Sequence, residues 1–326
     1  MQQANSAKLI TIFGGTGFVG RQVVRRMAQA GYRLRVVSRK PSIHVEVKPL
    51  GDVGQIALVR ADIRNEAQVR EAVAGATFVV NLVGILRPGG GQSFDDVHAE
   101  GSGNIARACL AASVSRLVQF SAIGADTNSK SSYARSRAAG EVAARQAFPN
   151  TTVLRPSIIF GNGDGFFNLF AGLMRMSRLI FPVFGAGVTK FQPVYVGDVA
   201  EAVAKVLGND RTRGKTYELG GPAIYTFRQI LEMVARCTGR KLKLISIPFF
   251  LLDIGAALTG WLPFAPVTLD QARLLKKDNV VKGGTDAAQV GTLADLGITP
   301  TTVEAVVPSY LYAFRSNGQY AETHEA

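Results

Sequence analysis

The chain has 326 residues, 47% of them hydrophobic, with 37 Lys and Arg against 24 Asp and Glu and a formal charge of +13. This composition supports a folded protein with a sizeable core, and two cysteines exclude a disulfide framework. The basic residues are scattered and no nucleic-acid module is legible, so nucleic acid is not an expected partner; the charge instead suits an acidic protein surface or an anionic membrane face.

In chain order, Lys8–Phe13 predicts a strand, and Phe18–Ala30 a helix with Val19, Val23, Val24 and Met27 on one face, ended by Gly31. Strands follow at Arg33–Ser38, Gln55–Arg60 and Thr77–Leu82, with a helix at Glu66–Ala74 closed by Gly75. A helix over Phe94–Ala112, a strand over Arg116–Ser121, a helix over Tyr133–Ala147 and a strand over Thr152–Arg155 complete the first half. Apolar strands alternating with helical crossovers predict an α/β fold, a Rossmann-like doubly wound parallel sheet. The second half predicts an apolar helix over Phe166–Ile180, with Phe166, Phe170, Leu173 and Ser177 along one face, and a strand over Phe191–Val196. Further helices are expected at Asp198–Leu207 with Asp198 as N-cap, Thr226–Cys237 with Thr226 as cap, Phe249–Leu258 and Thr268–Lys276, and a strand at Lys243–Ile247. The expected organisation is a dinucleotide-binding domain over 1–160, its sheet completed by parts of 190–220, and a smaller, mainly helical C-terminal lobe over 161–326.

Cys109 and Cys237 read as small buried apolar residues, and His44, His98 and His324 share no metal-ligand spacing, so no metal is expected. The first strand begins about seven residues after Met1 with no apolar or Arg-rich leader, which predicts a bacterial cytoplasmic protein. No stretch reaches the roughly 18 apolar residues of a spanning helix; Leu244–Leu269 is broken by Pro248, Asp253, Gly260, Pro263 and Pro266.

The strongest motif is Ile10–Gly20, where a strand enters a glycine turn and a helix follows at once. Gly14 permits the tight turn, Gly17 lets backbone approach a pyrophosphate, and Gly20 lets the helix pack close to the sheet. The helix tip offers unpaired N–H groups and a partial positive charge to the phosphates. An acid at the end of the second strand would accept from a ribose 2′-hydroxyl and favour NAD. Here Ser38-Arg39-Lys40 stands instead, which suits the 2′-phosphate of NADP(H). Asp62 could accept from the adenine amino group, and Leu82-Val83-Gly84 borders the adenosine ribose.

Ser121 ends the fifth strand and Tyr133 lies near the next helix start. Together with Gly14–Gly20, Asp62, Asn81–Gly84, Arg155–Gly161 and Val194–Asp198, they resemble the extended and atypical branches of the short-chain dehydrogenase/reductase family. The resemblance implies a tyrosine acid/base, a serine that orients the carbonyl, and a lysine four residues after the tyrosine that lowers its pKa and holds the ribose. At that position this chain has Arg137, which keeps the charge but is planar and forked. Ser121, Tyr133 and Arg137 are therefore read as vestigial catalytic residues that still touch the nicotinamide ribose. The expected cofactor-binding set is Gly14, Thr16, Gly17, Phe18, Val19, Gly20, Ser38, Arg39, Lys40, Asp62, Ile63, Leu82, Val83, Gly84, Ser121, Tyr133, Arg137, Pro156 and Ile159.

Thr268–Val281, Ile298–Thr302 and Pro308–Leu311 further resemble one atypical group of that family, which contains the nucleotide-binding accessory subunit of respiratory complex I and its alphaproteobacterial counterparts. This implies a tightly held, structural NADPH and other complex I subunits as partners beside the quinone-reducing module. It also implies a peripheral location on the cytoplasmic side of a bacterial inner membrane; a soluble cytoplasmic protein is the alternative. Phe166–Phe184 and Pro248–Pro266 could form a docking face, with Arg175, Arg178, Lys241 and Lys243 toward anionic headgroups or acidic subunits, or could simply close the C-terminal lobe. The competing functions are a free NADP-dependent reductase, dehydratase or epimerase, and a redox-sensing binding module.

Overall fold

Apolar runs in the first half become strands covered on both faces. They are β1 (Leu9–Phe13), β2 (Arg33–Ser38), β3 (Ile56–Arg60), β4 (Phe78–Asn81), β5 (Arg116–Phe120) and β6 (Thr152–Pro156). Two later segments join them, β7 (Thr216–Leu219) and β8 (Val290–Gly291). The eight strands form one parallel sheet in the order β8-β7-β6-β5-β4-β1-β2-β3. The computed structural model describes residues 5–177, 179–252, 254, 268–282 and 290–315. The chain divides into two compact units. The first takes Met1–Pro156, Val196–Leu219 and Lys282–Thr299; the second takes Ser157–Tyr195, Gly220–Val281 and Pro300–Ala326.

In the first unit, helices cover both faces of the sheet, α1 (Phe18–Gln29) packing on α5 (Val196–Gly208). The other face carries α2 (Glu66–Val73), α3 (Gly101–Ala111) and α4 (Ser132–Ala147), with α3 packed against both of the others. The amphipathic stripe of α1 buries Val23, Val24 and Met27 completely, each worth about 1.5–3 kcal/mol relative to exposure. Asn65 and Ser131 cap α2 and α4 by accepting from Gln68 N–H and Ala134 N–H. The helix expected from Phe94 begins as a π-helical turn, Asp95–Glu100, before α3 continues it. That wider turn is where His98 enters the core.

The second unit packs Phe167–Met176, Phe227–Cys237 and the short helices Val303–Val306 and Pro308–Leu311 around Phe160, Phe167, Met174, Phe227 and Leu311. Thr226 caps Phe227–Cys237 with a full capping box, and Thr268 does the same for Leu269–Leu275. The predicted helix Phe166–Ile180 is too long. It ends at Met176, and Ile180–Phe184 is a strand, alternately exposed and buried, paired in parallel with Lys243–Ile247. The fully buried stripe of the helix is Phe167, Ala171 and Met174, with Phe166, Phe170 and Leu173 half-buried beside it. The expected strand Phe191–Val196 is two short ones, Lys190–Phe191 and Val194–Tyr195, on either side of Pro193, which has no N–H to extend a ladder. Asp198 lies inside the first turn of α5, which begins at Val196, and is not its N-cap.

Cys109 is buried and Cys237 half-buried. His324, Arg178, most of Phe249–Leu258 beyond Leu252 and the second part of Pro248–Pro266 lie outside the described residues. Among the described residues, no helix is long and apolar enough to cross a membrane.

Candidate functional site

The sheet reverses its strand order between β1 and β4, and the predicted ligand-binding turns converge at that reversal, beyond the carboxyl ends of the strands. Gly14 leaves β1 with φ +76°, a left-handed conformation that a side chain disfavours. Its N–H donates to Val37 O, and Leu82 N–H donates to Phe13 O, so the turns after β1, β2 and β4 are tied together. Gly20 is buried against the turn: a Cβ there would overlap the Gly14 carbonyl oxygen and lie 2.6 Å from the Gly15 carbonyl carbon. Gly15 is constrained as well, since its Cβ would lie 2.8 Å from Val36 Cγ1.

Gly17 is the N-cap of α1, and α1 has neither a side-chain cap nor an acid in its first turn. Its tip therefore presents N–H groups without a protein anion to answer them. Thr16, Phe18 and Val19 are half-buried around it, and Thr16 O accepts from Arg21 Nη1 at 3.3 Å.

At the end of β2, Ser38 Oγ accepts from Lys40 N–H at 3.3 Å, and Arg39 and Lys40 are exposed. The register sets Arg60 of β3 beside Ser38. A cavity of about 490 Å³ is lined by Arg39, Arg60, Asp62, Arg64, Gln68 and Asp96, among others. The sequence pointed to Arg39; it gave no sign of Arg60 or Arg64. The Arg64 guanidinium grips both Asp62 oxygens, with Nη2–Oδ2 at 2.7 Å, and holds that carboxyl below the usual carboxylate range. Arg64 Nη1 also donates to Gly91 O at 2.6 Å. Asp62, expected to receive an adenine amino group, already has an internal partner on each oxygen. The Ile63 side chain is buried in the core, and its carbonyl accepts from Asn104.

Leu82 and Val83 are half-buried, and Asn81 Oδ1 receives Val83 N–H at 3.1 Å. Arg137, on α4, reaches over this turn. Its guanidinium occupies the place a Gly84 Cβ would take, with Cζ 2.8 Å from that position. Nη1 donates to Val83 O and Phe120 O at 3.4 Å each, and Nε donates to Tyr133 Oη at 3.2 Å. The structure thus brings Tyr133, Arg137 and Gly84 into one cluster. Ser121 follows β5 and is 4% exposed; its Oγ is buried with no hydrogen-bond partner among the described residues. An orphaned buried hydroxyl and an uncapped helix tip are what a polar, anionic ligand would satisfy. Pro156 ends β6 in the first unit, while Ile159 lies in the second, where it pairs with Val194.

One functional arrangement went unread in the sequence. His98 is 2% exposed, stacks on Phe94 and meets the Tyr133 ring edge-on. Ile85 N–H donates to its Nε2 at 3.0 Å, so the ring proton resides on Nδ1 and is donated to Ser136 Oγ at 2.8 Å. Ser136 Oγ in turn donates to Tyr133 O. His98 therefore joins the Gly84–Ile85 turn to the helix bearing Tyr133 and Arg137. Burial, then the Arg137 charge, pushes its pKa from 6.5 down to about 3. The unfolded chain binds this proton below its ordinary pKa and the folded chain does not until about pH 3, so His98 makes the fold less stable as pH falls through that window. The expected cost is about 1.4 kcal/mol per pH unit. Thermal unfolding at pH 7 and pH 4.5 should show a shallower pH dependence in His98→Gln than in the native chain; equal slopes contradict the assignment.

A family model described as "NAD dependent epimerase/dehydratase family" matches residues 10–220. The mitochondrial NADH-ubiquinone oxidoreductase 40 kDa subunit of Neurospora crassa is 32% identical over 311 residues, 95% of this chain and 80% of that protein. A ceramide reductase of Caulobacter vibrioides is 30% identical over 261 residues, 78% of each. Among solved structures, the dTDP-glucose 4,6-dehydratase DesIV of Streptomyces venezuelae superposes with a TM-score of 0.70 at 17% identity, covering 95% of this chain and 97% of that one, a likeness of fold. With a nucleotide-binding fold, a family match across most of its length and relatives above 30% identity, the chain belongs to the NAD dependent epimerase/dehydratase family.

Proposed function

We propose that this chain is an NADP(H)-binding accessory subunit of respiratory complex I, with the dinucleotide as a structural part. Similarity to the Neurospora subunit over 95% of the chain carries the reading, because it includes the C-terminal half as well as the nucleotide fold. In this reading the subunit sits peripherally on the cytoplasmic side of a bacterial inner membrane, beside the quinone-reducing module. The tip of α1 would hold the pyrophosphate, Ser38, Arg39, Lys40 and Arg60 would hold the 2′-phosphate, and Leu82–Gly84 would border the adenosine ribose. A bound nicotinamide supplies hydride chemistry in principle. The residues around it favour holding over turnover: three Arg137 contacts go to Val83 O, Phe120 O and Tyr133 Oη, which makes it a clamp between strand ends and helix. Ser121 Oγ is free to bind the nicotinamide end. A ligand bound only by the folded form adds about 2.7–4.1 kcal/mol when present at 100–1,000 times its dissociation constant.

A second reading, an NADP-dependent reductase, is favoured by the similarity to ceramide reductase. The two separate on native membranes. After mild-detergent extraction and native electrophoresis, the chain should co-migrate with complex I, and its deletion should reduce assembled complex. Recovery only as a free protein, with normal complex assembly in the deletion and carbonyl turnover abolished by Tyr133→Phe, would overturn the accessory role.

A further inference from the structure

We infer that the second unit bears a patch that binds the surface of an anionic phospholipid bilayer. The inference rests on the proposed accessory role for its setting at a membrane, and it deepens that role by naming the lipid contact. Large apolar side chains are exposed together there. Met176 and Leu179 are 80% and 74% exposed, at the end of helix Phe167–Met176 and the start of the following strand. Lys243 N–H donates to Leu179 O, and the register sets Lys243 beside Ile180 and Ile245 beside Pro182. Ile180 and Ile245 are therefore neighbours on an open two-stranded face, both exposed. Beyond the second strand, Phe250, Leu251 and Ile254 are exposed while Leu252 is buried.

The charge pattern decides what covers this surface. Residues 165–195 contain no Asp or Glu and residues 233–254 contain one, Asp253, yet the two stretches include Arg175, Lys190, Arg236, Arg240, Lys241 and Lys243. Arg175 adjoins Met176, and Lys241 and Lys243 adjoin the exposed strand face. Protein interfaces are depleted in lysine and pair their charges across the contact. Apolar side chains flanked by an excess of cations match the interface of an anionic bilayer, where rings and branched chains enter the acyl boundary and ammonium groups meet phosphates.

The full-length chain is sedimented with vesicles of phosphatidylcholine alone or with about one-third phosphatidylglycerol, at low and high salt. It should bind the anionic vesicles, leave the neutral ones, and be released by salt. Lys241→Gln with Lys243→Gln should weaken partition about 25-fold, at about fivefold per cation. Phe250→Ser with Ile254→Ser should abolish binding with the charge unchanged. Both variants alter exposed side chains and should retain bound dinucleotide, which reports an intact fold. Equal binding to the two vesicle types, no binding, or variants that bind like the native chain overturns the inference. So does a dimer that Phe250→Ser dissolves, which would assign the patch to a second copy. Vesicle binding intact without co-migration with complex I would overturn the accessory role and leave the patch standing.

Discussion

Gly20→Ala should remove dinucleotide binding and lower the unfolding temperature by about 2–5 °C. The added methyl would meet the Gly14 carbonyl oxygen and the Gly15 backbone, which are main-chain atoms and cannot rotate away. Relief requires α1 to move off β1. That movement opens the packing of Val23, Val24 and Met27, all fully buried, and withdraws the helix tip from the phosphates. Overpacking of this kind costs about 1–3 kcal/mol, and each kcal/mol shifts the midpoint by about 1.5 °C in a chain of this size. Calorimetry with and without NADPH measures both effects. The native midpoint should rise with ligand and the variant's should not respond. Gly208→Ala serves as the control, because its Cβ would meet nothing within 4 Å. A Gly20→Ala chain that binds NADPH like the native one contradicts the packing argument.

The second large effect concerns coenzyme choice. Arg39 and Arg60 line the same cavity, Arg60 being set there by its register with Ser38. Hydrogen bonds to a charged group contribute about 1.5–3 kcal/mol each, and exposure of both arginines reduces this toward the lower end. Arg39→Ala with Arg60→Ala should therefore weaken NADPH binding about 100-fold. NADH, which lacks the phosphate, should bind nearly as before. Titration calorimetry with both coenzymes gives the ratio. Equal losses for NADPH and NADH would show that the arginines hold some other part of the ligand.

The first six strands could be read from the sequence to within a residue or two, because strands of a parallel sheet are predominantly apolar and their turns are punctuated by glycines such as Gly14, Gly31 and Gly75. The second unit was harder for a physical reason. Helix Phe167–Met176 runs into strand Ile180–Phe184 within one apolar stretch, and periodicity cannot divide such a run. Strand β7, four residues long, offers too short a pattern to stand out, although its Tyr217 and Leu219 are buried. At the site, the glycine turn and Arg39 were visible because their chemistry is local. Arg60 became visible only through sheet register. His98 acts through Ser136, 38 residues away, and looked in the sequence like an isolated histidine. Asp62 was visible as a residue, but its fork with Arg64 was not.

Nucleotide identity decides between a filled NADP(H) cradle and a bare structural turn. Protein purified gently from its native source should release, on denaturation, close to one NADP(H) per chain, identified by mass spectrometry. Stoichiometric NAD(H), or a chain that carries no dinucleotide and takes up neither coenzyme, would contradict it.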